Sequence, residues 1–140
     1  MTQNEKDILL KDLCGRIMCG VKCTVYEYTN VQTLSGVIPN SVYKELYFDE
    51  LDWKEYDGFA DVQYCKPYLF PLSSMTNEQK EELDNMFNQE DDIYEKIKTG
   101  NFEFSFYRKS IFDFLNKHHL DWRGLIPMGL ALDATNLNIY

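Results

Sequence analysis

The chain has 140 residues, the length of one ordinary domain, and its 44% hydrophobic and 15% aromatic residues can fill a core without disulfides or metals. This composition argues against disorder. The net charge of −9 disfavours direct binding to nucleic-acid backbones, because that binding depends on Lys and Arg neutralising phosphates.

The first predicted element is a helix from about residue 3 to about residue 16. Thr2 and Glu5 form a capping box, and apolar residues recur behind it at helical spacing. From Val21 the period changes to two, which predicts a strand, and further strands are expected over residues 32–38, 42–48 and 59–70. Pro67 should end the last of these strands or hold it at a sheet edge.

Helices return in the second half of the chain. Thr76 with Gln79 forms a second capping box and Ser110 with Asp113 a third, and a short helical segment between them should close at Gly100. We therefore predict an α+β fold in one globular domain over residues 1–140. It has an N-terminal helix, an antiparallel sheet of about four strands, and C-terminal helices packed on one face.

The N-terminal sequence and the charge distribution indicate the location of the protein and the kind of partner it could bind. The N-terminus is polar, and no apolar run approaches the roughly 18 residues of a membrane span, so we expect a soluble cytoplasmic protein without membrane contact. Between Glu45 and Glu95 the chain carries 15 acidic residues and three lysines, a local net charge of −12. This asymmetry predicts either a solvated surface or a surface for a basic protein partner.

The candidate metal ligands are four cysteines and two histidines: Cys14, Cys19, Cys23, Cys65, His118 and His119. Their spacing differs from that of a zinc knuckle. Cys14 falls on the predicted helix, and Cys23 falls on the inward face of a strand, where cysteine behaves as a small hydrophobe. We expect reduced thiols and assign no catalytic residue, cofactor or metal site, while zinc binding by these residues stays an open alternative.

Two short motifs resemble parts of catalytic sites. Asp52-Trp53-Lys54 has the carboxylate-x-lysine form of magnesium nucleases and lies in an acidic loop at 49–61, but nothing places an upstream acid beside it. Gly124-x4-Gly129 resembles the start of a phosphate loop, yet Leu130-Ala131 stands where Lys and Ser or Thr are needed. Neither motif predicts an activity by itself.

The C-terminal stretch predicts the end of the last helix, followed by a tail that packs on the core. His118 should be partly buried and bond a carbonyl at the helix end, and His119 should be exposed. Asp121 and Arg123 are expected to pair, with Gly124 supplying the left-handed residue of the turn. Five apolar side chains should then lie on the core: Trp122, Leu125, Ile126, Leu130 and Leu132.

Several pieces of the chain resemble a family of small uncharacterised proteins encoded in prophages and mobile elements of gut Bacteroides-type bacteria. They are "EKDILLKDLCGR" with "GVKC", "KPYLFPLSSMT" with "NEQKEEL", and "FLNKHHLDWRGLIPMGLALDA". One departure is Met18-Cys19, where that family tends to carry proline and tyrosine. The resemblance implies a genomic setting and brings no catalytic residues.

These observations favour a non-enzymatic accessory or interaction protein of a phage or mobile element, whose acidic middle binds a basic protein partner. The alternative is a small metal-dependent hydrolase or nuclease. The oligomeric state stays open, because the sequence contains no self-complementary patch that would define a dimer.

Overall fold

The computed structural model of this protein describes residues 1–25, 30–39, 44–49, 58–86, 93–99 and 108–140. The predicted α+β class is confirmed. In chain order the elements are α1 (Gln3–Arg16), β1 (Lys22–Val25), β2 (Gln32–Thr33), β3 (Gly36–Ile38), β4 (Glu45–Tyr47), β5 (Phe59–Asp61), β6 (Cys65–Leu69), α2 (Asn77–Met86), α3 (Ile93–Lys98), α4 (Arg108–Lys117) and β7 (Leu132–Asp133).

The helix α1 begins where the sequence predicts it. The backbone N–H of Glu5 donates to the hydroxyl of Thr2, and the carboxylate of Glu5 accepts from the backbone N–H of Thr2, which completes the capping box. Leu9 and Leu13, four residues apart on one face, are completely buried. Ion pairs of Lys6 with Asp61 and of Lys44 with Asp7 connect α1 to β5 and to the residue before β4.

The strands form two sheets. One has the order β2-β1-β6-β7, and the other has the order β3-β4-β5. Two segments predicted as single strands are therefore split between the sheets. Over residues 32–38 the backbone of Leu34 still bonds to Val21, whereas Ser35 bonds to Tyr47 in the second sheet. Over residues 59–70 a 3₁₀ turn, Val62–Tyr64, separates β5 from β6.

Pro67 lies inside β6 and does not end it; the strand pairs with β1 on one side along this stretch and with β7 on the other. The carbonyl of Leu69 accepts from Ala134 on the β7 side, so the nitrogen of Pro67, two residues earlier, faces that same side. Pairing with β7 begins only at Tyr68. The missing N–H of proline therefore interrupts no ladder hydrogen bond.

Two apolar cores hold the elements together. The first lies between α1 and the two sheets, and the second joins α2, α3 and α4. The predicted docking of the C-terminal tail is confirmed for Leu125 and Leu130 and is less complete for the other three side chains. Leu125 and Leu130 are buried in the first core, with Ile126 packed against it, while Trp122 is half-buried against the second core and Leu132 is half-buried in β7. The tail is thus part of the folded structure.

The two predicted capping boxes in the second half of the chain have different outcomes. Ser110 is inside α4, which already includes Arg108, so it is not the residue that caps the helix. The capping box of Thr76 with Gln79 is confirmed by both of its hydrogen bonds.

Some sequence features lie outside the described residues: Asp52-Trp53-Lys54, most of the 49–61 loop and Gly100. Within the described ranges, no helix is long and apolar enough to cross a membrane.

Candidate functional site

The end of α4 determines where the following residues lie. The backbone N–H of Leu120 donates to Leu115 O at 2.9 Å and that of His119 donates to Asn116 O at 3.1 Å, the pair of bonds that defines a Schellman turn. His119 has a φ of 54°, in the left-handed region that glycine usually occupies at this position. Because two backbone bonds then join this segment to Phe70 beside β6, the chain from residue 119 onward has a fixed path.

Asp121 fixes the next turn. Its two carboxylate oxygens accept the backbone N–H groups of Leu125 and Ile126, each at 2.8 Å, and the residue is 7% exposed. The expected pair of Asp121 with Arg123 is wrong, because this carboxylate is occupied by backbone donors. Gly124 takes the left-handed conformation predicted for it, with a φ of 72°.

A buried ion pair connects α1 to this C-terminal segment. Asp12 and Arg16 lie one turn apart on α1, with Nε of Arg16 2.6 Å from Oδ2 and Nη2 3.1 Å from Oδ1 of Asp12. Both side chains are fully buried. Nη2 also donates to the carbonyl of Leu120 at 2.8 Å, just beyond the Schellman turn. Arg16 therefore joins the first helix to the chain that follows the last one.

Arg123 is a second cation at the same carboxylate. Its Nε lies 3.3 Å from Oδ1 of Asp12, and its guanidinium lies over the ring of Trp122, 3.9 Å from the centroid. Burial lowers the pKa of Arg123, whereas the nearby Asp12 carboxylate acts in the opposite direction. One carboxylate thus contacts two guanidinium groups, and the cation–π contact holds the outer one against the indole.

The indole of Trp122 is also held by two residues of α4. Its Nε1 donates to Oδ1 of Asn116 at 3.0 Å, and Nδ2 of Asn116 donates to the carbonyl of Gly15 at 3.2 Å. Phe112 stacks on the indole with 4.4 Å between ring centroids. A Cβ on Gly15 would lie 3.1 Å from Nδ2 of Asn116, so the glycine permits the close approach of α1 to α4.

These residues border an open cleft of about 530 Å³ between α1, α4 and the segment that follows α4. We call it the α1–α4 cleft; its lining comprises Lys11, Asp12, Gly15, Lys109, Phe112, Asp113, Asn116, Trp122 and Arg123. Lys109 forms an exposed pair with Asp113 at 3.3 Å. Lys11 is exposed and forms no ion pair with any residue that the structure describes.

Of the two histidines, His118 has the partial burial predicted for it, whereas the predicted exposure of His119 is wrong. His118 is half-buried, with Nε2 3.2 Å from Oε2 of Glu82 and Nδ1 3.2 Å from Nε2 of Gln79, so its ring contacts a carboxylate and an amide where a carbonyl was expected. His119, predicted to be exposed, is 8% exposed, and its ring stacks on Tyr140 with 3.8 Å between centroids. Burial, assisted by the positive charge of Arg16, lowers the pKa of His119 to about 4.

The candidate metal ligands do not come together as a group of three or more. All four cysteines are free thiols, with Cys14 exposed and Cys23 and Cys65 buried. Burial raises the pKa of Cys65 to about 12 and that of Cys23 well above its usual value, as the prediction of Cys23 as a small hydrophobe implies. Among the described residues, no three His, Cys, Asp or Glu side chains form a group that could hold a metal ion.

The sequence singles out few of the residues that build the cleft. Asp12 and Arg16 carry one usable signal, an acid four residues before an arginine on a predicted helix. The same spacing is common on exposed helix faces, and sequence alone does not reveal that this pair is buried. Asn116 carries no signal, because its two partners are 101 residues before it and six residues after it.

Comparison with known proteins gives no further constraint, because no family model, curated protein or solved structure matches the chain.

Proposed function

We propose that this chain is a non-enzymatic interaction protein that binds a partner in the α1–α4 cleft. The observation that carries the proposal is the fixed pair of Trp122 and Arg123 at the cleft wall. Tryptophan and arginine are the residue types that contribute most binding energy in protein interfaces. Here each is held by a partner within the fold: Asn116 for the indole and Asp12 for the guanidinium.

This pre-organisation matters for affinity. A long side chain that must be ordered on binding costs about 0.5–1.5 kcal/mol, which reduces the net free energy of association. Arg123 already lies against both Asp12 and the indole, and the side chain is 31% exposed, so a partner can contact it without ordering it. The cleft therefore presents a cation and aromatic carbon in one fixed arrangement.

The acidic middle is a second proposed surface, for a basic protein partner. On α2, Glu81 and Asp84 form no ion pair with any described residue, which leaves their charge available. Glu82 is different, because its hydrogen bond with Lys117 lowers its pKa and the pair already neutralises it. We place either interaction in the cytoplasm and, on the strength of the resemblance alone, within a phage or mobile-element programme.

Site-specific photo-crosslinking tests the proposal. The photoreactive residue p-benzoylphenylalanine replaces Asp113 in the cleft lining, with Glu95 on α3 as the matched control, since both acidic side chains are more than half exposed. In host lysate we expect one defined crosslinked protein from position 113, absent from position 95 and lost when Arg123→Ala is added. Equal crosslinking at both positions, insensitivity to Arg123→Ala, or no crosslinked protein at position 113 would refute the cleft as the binding site.

A further inference from the structure

The α1–α4 cleft differs in charge from the chain that surrounds it. The whole chain has a net charge of −9, yet three cationic side chains and two acidic ones line the cleft. Fully buried Arg16, beside Asp12, adds a further positive charge behind the cleft wall. The region is thus cationic within an acidic protein.

The pairing pattern leaves part of this positive charge uncompensated. Asp12 is the carboxylate contacted by both Arg16 and Arg123, so two positive charges share one negative charge. Lys11 forms no ion pair with any residue in the described ranges. The pair of Lys109 with Asp113 is highly exposed, so solvent screens it and a competing carboxylate can replace it.

From this charge pattern we propose that the cleft binds an acidic peptide segment of a partner protein. Carboxylates of the segment pair with Lys11, Lys109 and the outer edge of Arg123, and its apolar atoms contact the aromatic wall at Phe112 and Trp122. This inference rests on the proposed function, since it specifies the partner of the same cleft. The two proposed surfaces then bind partners of opposite charge: the cleft binds an acidic peptide segment, and the acidic middle binds a basic protein.

A peptide fits these observations better than a nucleic acid does. Nucleic-acid affinity comes from many phosphate contacts spread along a basic surface. The positive region here is confined to one cleft, and the protein as a whole repels a polyanion. An acidic peptide segment needs only two or three cations, and it brings apolar atoms to the aromatic wall.

The test is selection of random 12-residue peptides displayed on phage, using the folded full-length chain as bait. Enriched peptides are then synthesised, and their dissociation constants are measured for the parent, for Lys11→Glu and for Arg123→Ala. The control is Lys98→Glu, which makes the same charge change as Lys11→Glu on an exposed lysine of α3. Lys109→Glu provides a second variant of the cleft. Both cleft lysines are exposed, so these variants keep the fold, and far-ultraviolet circular dichroism verifies this.

We expect enrichment of peptides rich in Asp and Glu, a loss of affinity of about tenfold with Lys11→Glu, and less than about twofold with Lys98→Glu. Enriched peptides that are neutral or basic, yet still sensitive to Lys11→Glu and Arg123→Ala, would overturn the acidic partner and leave the cleft as a binding site. If no peptide is enriched, or if the enriched peptides are insensitive to both Lys11→Glu and Arg123→Ala, both the acidic partner and the cleft as a binding site are overturned. A single-stranded oligonucleotide that binds and is lost with Lys11→Glu would replace the peptide by nucleic acid.

Discussion

Replacing Arg16 with methionine tests how the cleft is joined to the fold. The substitution keeps an unbranched side chain of similar length and removes the guanidinium. Three contacts disappear with it: two to the carboxylate of Asp12 and one to the carbonyl of Leu120. Asp12 stays fully buried and keeps only the contact to Arg123 at 3.3 Å.

The expected cost is large because a buried charge loses most of its compensation. Removing one partner of a buried ion pair typically costs about 3–5 kcal/mol, whereas replacing both partners by apolar groups is often neutral or stabilising. Since Arg123 still contacts Asp12, we expect about 3 kcal/mol for Arg16→Met, the lower end of that range. This is a substantial part of the about 5–15 kcal/mol by which domains are stable.

Urea unfolding followed by far-ultraviolet circular dichroism measures the effect. The double variant Asp12→Leu/Arg16→Met should be more stable than Arg16→Met, because the uncompensated carboxylate is gone. Lys98→Met, at an exposed position, should change stability by less than about 0.5 kcal/mol. A cost below about 1 kcal/mol for Arg16→Met, or a double variant as unstable as the sum of both single variants, would refute the reasoning.

Three further predictions concern the C-terminal segment. The pKa of His119 is lowered from 6.5 to about 4 in the fold, so its contribution is fully present above about pH 6.5 and is lost as the pH falls toward 4. Solvent screening of the imidazole limits this contribution to the free energy of unfolding to about 1–2 kcal/mol. In urea unfolding, His119→Asn should lose less stability than the parent as the pH falls. Asparagine is the replacement because it also accepts the left-handed conformation. Trp122→Ala should cost about 2–3 kcal/mol in the same assay, because the indole is only half-buried. Truncation after Gly124 removes Leu125 and Leu130 from the first core and should abolish cooperative melting; a melt near the parent temperature would contradict tail docking.

The elements that the sequence predicts well are those set by neighbouring residues. The capping boxes at Thr2 and Thr76 depend on side chains three residues apart, so their hydrogen bonds follow from the local sequence. Strand alternation is also local and places Cys23 and Val25 inward as expected. Alternation does not specify which strand is the neighbour, and for that reason the division into two sheets between Leu34 and Ser35 could not be predicted.

The errors near the cleft have a different cause. His119 was predicted to be exposed because nothing in the sequence indicates a left-handed residue there, whereas Gly124 does indicate one. This single conformation directs the imidazole toward Tyr140 and the backbone toward Phe70. The pairing of Arg123 with Asp12 could not be predicted either, since 111 positions separate the two residues. Tertiary contacts determined both outcomes.

The carboxylate of Asp12 makes the stability of the fold and the properties of the cleft interdependent. Variants of Arg16 remove both its ion pair with Asp12 and its hydrogen bond to the carbonyl of Leu120, so a loss of binding in them has two causes. Arg123 has a smaller role in the fold, because Arg16 still makes two contacts to Asp12 without it, and Asp121 with its backbone donors fixes the turn. Arg123→Ala should therefore weaken partner binding with little loss of stability, and it is the variant that separates recognition from folding. Equal losses of both would show that the outer guanidinium, like the inner one, is a structural element.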